Sequence, residues 1–273
     1  KTPSLGGVLF VLVPVLVFMM VFPKALLKAE VLLVLLVYLA YGLIGFADDY
    51  KIILEKNNKG ISARLKFFLQ LVLAAVFYFF FRQYLSSSIT IYGLSWSFDL
   101  GILYLAFVLF VFTGASNAVN LTDGMDGLAG GTSLIALFPF ALFAYRQGNL
   151  EIFAFVLALM GSLLAYLWFN KHPAKIIMGD TGSLALGAVL AALALVLKQE
   201  FSFIFIAGVF IFETLCVMIQ IGSVKLFKRR VFKYTPIHYS FTLSGWKESN
   251  VVRFFWAMGF VFMLIGLFLG VLK

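Results

Sequence analysis

Long apolar runs separated by short polar stretches make up most of the chain. Runs of about 20 residues, the length that crosses hydrocarbon as a helix, occupy 4–23, 29–47, 64–82, 100–119, 127–145, 150–169, 182–198, 203–224 and 251–272. They are continuous rather than alternating, and far longer than a strand of a transmembrane barrel. The pattern predicts an all-α polytopic transmembrane helical bundle of nine visible spans, a single domain over 1–273. One stretch departs from it. SSSITIYGLSWSFD (86–99) alternates apolar and polar residues around Tyr92-Gly93, which predicts a short β-hairpin on the outer face, with Tyr92 and Trp96 suited to the membrane interface.

Composition agrees with a membrane protein: 63% of residues are hydrophobic and 12% charged, where a soluble domain sits near half and a quarter. The one cysteine, Cys216, lies in an apolar run, so it has no intrachain partner and reads as core packing. The chain opens KTPSLGG and enters a full-length run, so no cleavable signal peptide is expected, and the absent initiator Met suggests that a further piece precedes Lys1. No internal repeat suggests the paired halves of a transporter. With nine spans, the segments 1–3, 48–63, 120–126, 170–181 and 225–250 share one face, which takes fifteen of the 21 Lys and Arg residues once flanking residues such as Arg64, Lys66 and Arg253 are assigned to the nearer end. The other face keeps Lys24, Lys28, Arg82, Arg146, Lys198 and Lys273. This bias points the first face to the cytoplasm. Much of the net charge of +9 is then topogenic, with some attraction to anionic membrane lipid, and no nucleic-acid partner is expected.

The acids sit on the side reserved for base. GFADDY (45–50), NLTDGMDG (120–127), MGDTGS (178–183) and TPIHYS (235–240) all fall on the basic face, from four separate loops. Asp48, Asp49, Asp123, Asp126 and Asp180 would repel one another there unless a cation or a proton neutralised them. Oxygen ligands beside a phosphate substrate suit Mg²⁺. Each piece also has a plainer reading: Asp48-Asp49 as a solvated cap, TDGMDG as a turn and N-cap, Asp180 or Thr181 as a cap of the next helix. His172 reads as structural, and His238 as the stronger candidate of the two. Glu213, inside an apolar span, must face protein or be protonated, and helix packing is its expected role. An ion-coupled transporter would place carboxylates near mid-membrane, whereas these lie at span ends.

The motifs TPSLGG, GFADDYKI, NAVNLTDGMDGLAGG, WFNKHPAKIIMGDTGSLALG, FETLCVMIQIGSVKLFKRRVFK and TPIHYSFTLSGWKE run in order along nearly the whole chain. In them the sequence resembles the polyprenyl-phosphate N-acetylhexosamine-1-phosphate transferases. The resemblance implies ten helices, the first lying before this chain, a cytoplasmic active site in the bacterial inner membrane, Mg²⁺ as cofactor, and a homodimer. It is strongest to the branch that transfers phospho-N-acetylmuramoyl-pentapeptide from UDP-MurNAc-pentapeptide to undecaprenyl phosphate, giving lipid I and UMP. A branch passing N-acetylglucosamine phosphate to the same lipid is the alternative, kept open by IHYSF. By resemblance Asp180 is the principal metal ligand and Asn120 a second. Asp48 and Asp49 match the family's acidic pair, one of which is proposed to orient or deprotonate the lipid phosphate, and His238 joins Asp48, Asp49 and Asp180 as catalytic. Asn120, Asp123, Asp126, Asn170, Ile177 and Gln220 match substrate-binding positions. Two departures stand out: the family's three histidines are His238-Tyr239-Ser240 here, and Ile177 replaces an aromatic that stacks on uracil in relatives. Direct attack and a two-step route through an aspartyl acyl-phosphate both remain open.

Overall fold

The computed structural model describes residues 2–55, 60–92 and 96–272. Every predicted run is helical. The elements are α1 (Gly7–Val21), α2 (Ala29–Glu55), α3 (Ala63–Phe81), β1 (Ser88–Ile91), β2 (Trp96–Asp99), α4 (Leu103–Thr122), α5 (Leu128–Arg146), α6 (Leu150–Asn170), α7 (Gly179–Val196), α8 (Glu200–Ile206), α9 (Gly208–Phe227), α10 (Ile237–Thr242) and α11 (Glu248–Val271). Among the described residues eight helices are long and apolar enough to cross a membrane, which makes this a multi-pass membrane protein. The first predicted span is shorter than expected: α1 has 15 residues, about 22 Å at 1.5 Å per residue, and its apolar run continues into a 3₁₀ turn at Pro23–Leu27.

Three further differences bear on the site. α2 runs on to Glu55, past the predicted end at 47, so Asp48 and Asp49 are helical residues and not loop residues. α4 likewise reaches Thr122 and takes in Asn120. The eighth run is broken at Ala207 (φ −83°, ψ 10°) into α8 and α9, where a Phe262 ring of α11 packs against Gly208. The short helix α10, which carries His238, was not foreseen, because six residues are too few for a hydrophobic period to register.

α7 is the axis of the bundle. All of its residues from Thr181 to Val196 are buried, as a helix apolar on every side should be. Its main neighbours are α2 and α4, and small residues let the backbones approach: a Cβ on Gly45 of α2 would collide with the Asp180 carbonyl. The apolar interior is one large cluster plus a smaller one in which Cys216, Leu128, Val251 and Phe255 join α9 to α5 and α11. Cys216 is core, as predicted.

The helix ends sort as the charge pattern requires. At one end Lys28 pairs with Glu151 at 2.7 Å. There too Lys198 reaches Glu200 at 2.5 Å, the Ser86 carbonyl at 3.0 Å and the Tyr104 hydroxyl at 3.1 Å. The predicted hairpin lies at this end, with Ser88 opposite Asp99 and Ile91 opposite Trp96. Its turn at Gly93, like Lys56, Lys59 and the two terminal lysines, lies outside the described residues. All four acid- and histidine-bearing motifs gather at the other end.

Candidate active site

Asp48 and Asp49 are neighbours on α2, about 100° apart around the helix, so they serve different partners. Asp49 faces α7. Its carboxylate accepts the Asp180 and Thr181 backbone N–H groups at 3.1 and 2.9 Å and the Thr181 hydroxyl at 2.6 Å. An anion at a helix N-terminus satisfies the open N–H groups and meets the positive end of the dipole. Gly179, at φ +68°, is where this contact demands glycine, since the backbone is left-handed and a Cβ would collide with the Asp49 carboxylate. The cap foreseen within GDTGS therefore exists, but it comes from α2.

Asp48 faces α3. It accepts the Ile61 N–H at 2.9 Å and pairs with Lys66 Nζ at 3.0 Å. Lys66 also contacts Asp180, whose second oxygen accepts Asn120 Nδ2 at 2.7 Å. Asn120 donates to Ser183 Oγ as well, at 2.9 Å. One cationic side chain from α3 thus joins carboxylates from α2 and α7. Sequence reasoning missed this role of Lys66: in SARLK it looks like any basic flank of a span, and only the fold shows it turned inward. Asp48, Asp49 and Asp180 offer oxygens within 4.8 Å of one another, a group able to hold a metal ion. Their chemistry suits a hard divalent cation, although Asp49 is already committed to three donors. Lys66 and Asn120 also line one end of a cavity of about 820 Å³, whose walls continue along α3 and α4 through Phe67, Phe110 and Gly114.

Asp123 caps α4 and is partly exposed. Burial first, and then the charges of Asp180, Asp49 and Asp126, push its carboxyl up to about 7. It lies in the field of both neighbouring carboxylate groups. Asp126 belongs to the second of these: its Oδ2 accepts the Ala174 N–H at 2.9 Å and meets His172 Nδ1 at 3.1 Å, while Glu248 accepts the Asp126 N–H at 3.0 Å. Asn170 is buried between the two loops. It accepts the Gly127 N–H at 3.0 Å and donates to the Ile176 carbonyl at 2.8 Å.

Ile177 is 38% exposed at the protein surface. Its backbone pairs with Pro3 and Gly6, which gives the opening TPSLGG motif a place beside the loop before α7. Among the described residues the hydrogen bonds of Gln220 go to the loop after α9 and not to the carboxylates. Its oxygen accepts the Val231 and Phe232 N–H groups at 3.0 Å each, and its amide donates to the Phe232 carbonyl at 3.1 Å, so it shapes the loop after α9.

His238 is fully buried and is brought to the site. Its ring presses on Gly124, in the turn next to Asp123. The Tyr239 hydroxyl donates to the Gly124 carbonyl at 2.9 Å, and burial raises that phenol above its ordinary value. Ser240 turns back on its own loop, donating to the Tyr234 carbonyl at 2.6 Å. Glu213 faces protein, as expected, but its partner is His238 rather than a neighbouring span.

The profile of glycosyl transferase family 4 matches residues 31–198, which run from the start of α2 to just beyond α7 and hold the whole carboxylate and lysine cluster. Among curated proteins, the phospho-N-acetylmuramoyl-pentapeptide-transferase of Geobacillus thermodenitrificans is 44% identical over 272 residues, 99% of this chain and 84% of the relative. The proteins of that name from Halalkalibacterium halodurans and Bacillus anthracis are each 45% identical over the same shares. The chain is a transferase: it belongs to glycosyl transferase family 4, in the group of the phospho-N-acetylmuramoyl-pentapeptide-transferases.

Proposed function

We propose that this protein transfers phospho-N-acetylmuramoyl-pentapeptide from UDP-MurNAc-pentapeptide to undecaprenyl phosphate, releasing UMP, at the cytoplasmic face of the bacterial inner membrane, with Mg²⁺ and as a homodimer. The observation that carries the reading is the joining of Asp48, Asp180, Asn120 and Lys66 at the end of a cavity that runs along two apolar helices. One substrate is a soluble nucleotide and the other a lipid phosphate, so polar groups at a span end beside an apolar groove suit both. The names of the relatives supply the group transferred, phospho-N-acetylmuramoyl-pentapeptide.

In the proposed reaction an oxygen of the lipid phosphate forms a bond to the sugar-linked phosphorus, the bond from that phosphorus to the bridging oxygen breaks, and UMP leaves with the electron pair. Positioning and charge neutralisation dominate such transfers. Lys66 supplies a fixed positive charge at the cavity end. Asp180 and Asn120 would hold Mg²⁺, with Asp48 adjacent. When bound, the ion supplies Lewis-acid stabilisation of the phosphate oxygens. Asp49 orders the start of α7 and so aims Asp180. A phosphomonoester is largely dianionic at neutral pH, its second pKa being near 6, so none of these carboxylates need act as a base. Asp123 and Asp126 lie where the nucleotide would be received, with Asn170 holding their loop.

The test is to incubate purified protein with Mg²⁺ and undecaprenyl phosphate and, separately, UDP-MurNAc-pentapeptide or UDP-N-acetylglucosamine. Lipid I and UMP from the first donor alone support the reading. Product from the second alone would transfer the assignment to the N-acetylglucosamine branch.

A further inference from the structure

Two buried ionisable side chains face each other behind the turn that carries Asp123. Glu213 of α9 and His238 of α10 are both fully buried. Glu213 Oε1 lies 3.1 Å from His238 Nδ1, and Oε2 accepts the Ile237 N–H at 2.9 Å. Both carboxylate oxygens are thereby spent on α10. The other ring nitrogen, Nε2, is buried with no hydrogen-bond partner among the described residues. It points at Gly124, where a Cβ would collide with it. A buried carboxylate is a costly way to pack a helix, since an apolar side chain of similar volume does so without desolvating a charge. Its geometry is that of an orienting group, because the hydrogen bond made by one imidazole nitrogen decides what the other can do.

We infer that Glu213 is a positioning residue for the transfer: it holds the His238 proton on Nδ1 and presents Nε2 across Gly124 toward the reacting phosphates. The inference rests on the transferase reading above. Glu213 touches no substrate and acts only through the ring. Its amide variant could satisfy the Ile237 N–H or the ring N–H with its oxygen but would turn an NH₂ group toward the other.

The chain has two histidines, so ¹⁵N-histidine NMR of the detergent-solubilised protein reads the ring directly, with His172→Asn used for assignment only. The expected wild-type spectrum shows His238 with a protonated, hydrogen-bonded Nδ1. In Glu213→Gln that signature should be lost, and kcat should fall about 10- to 100-fold, in the range that misplacing a reacting group costs, while the donor KM changes less than about threefold. Glu213→Asp should recover part of both. A wild-type His238 with a bare Nδ1 would overturn the inference without need of any variant. So would a folded Glu213→Gln that keeps both signature and kcat. If wild-type protein shows the Nδ1 proton but transfers neither donor, the transferase reading fails and the positioning role with it.

Discussion

Asp123 is poised to report on its own surroundings. Its carboxyl is raised from the ordinary 3.8 to about 7 by burial and by the charges of Asp180, Asp49 and Asp126. A raised carboxyl means that the folded protein holds a proton which the unfolded chain has already released. The associated stability is present at pH values below 4 and is lost as the pH rises from 4 to 7. Asp123→Asn removes that loss. In metal-free detergent solution the variant should melt above wild type by a margin that is larger at pH 8 than at pH 4.5, as followed by thermal unfolding at the two pH values. A margin that shrank with rising pH would mean that Asp123 is stabilised as an anion. At this scale the sequence was informative wherever an acid stood against the charge bias: Asp48, Asp49 and Asp180 do meet. It was silent on Lys66, because a lysine flanking a span carries no sign of which way it turns. Glu213 was legible only as a residue that must face protein, since its partner comes from a helix of six residues.

The contact between α2 and α7 decides whether the acids assemble. Gly45 lies one turn before Asp49, against the Asp180 carbonyl, and any Cβ there displaces one helix from the other. Gly42, one turn earlier again, has side chains as its nearest neighbours, Val11 at 3.0 Å and Ala185 at 3.6 Å. Gly45→Val should therefore lower the yield of folded protein and abolish most transfer, while Gly42→Ala, which needs only a side chain to give, should keep both. Size-exclusion profiles and turnover of the two variants check this, and equal tolerance would mean that the close approach is not needed. The long helices were legible because apolar runs of span length have one physical outcome in a bilayer. Their polar ends were not. α2 continues past Asp48 because Asp49 finds its partner on α7, a tertiary gain that a hydrophobicity pattern does not contain. At the break after Ala207, Gly208 lies against Phe262, a contact with a distant part of the chain that a hydrophobicity pattern does not contain either.

The whole molecule is polarised, with the carboxylate sites at one end and the hairpin and the Lys198 and Glu200 pair at the other. On the proposed reading the excess of basic residues puts the site end at the cytoplasm. A cysteine at Arg230 should then resist an impermeant thiol reagent in intact cells, and one at Gln83 should label. The native Cys216 is 3% exposed and should contribute little background. Labelling at Arg230 would reverse the orientation and, with it, the supply of a cytoplasmic nucleotide to the site. If the acids at the span ends serve a metal and a phosphate, Asp180 carries most of that role. Asp180→Asn keeps the size and hydrogen-bonding capacity of the side chain and removes a charge that faces Lys66 and Asn120. The decisive measurement is turnover against Mg²⁺ concentration for wild type and folded Asp180→Asn. The expected result is a loss of about 10² or more, as for removal of one preorganised electrostatic contact, with partial recovery at high Mg²⁺. Near-normal turnover with unchanged metal dependence would contradict it, and would leave Asp180 as no more than the first turn of a capped helix.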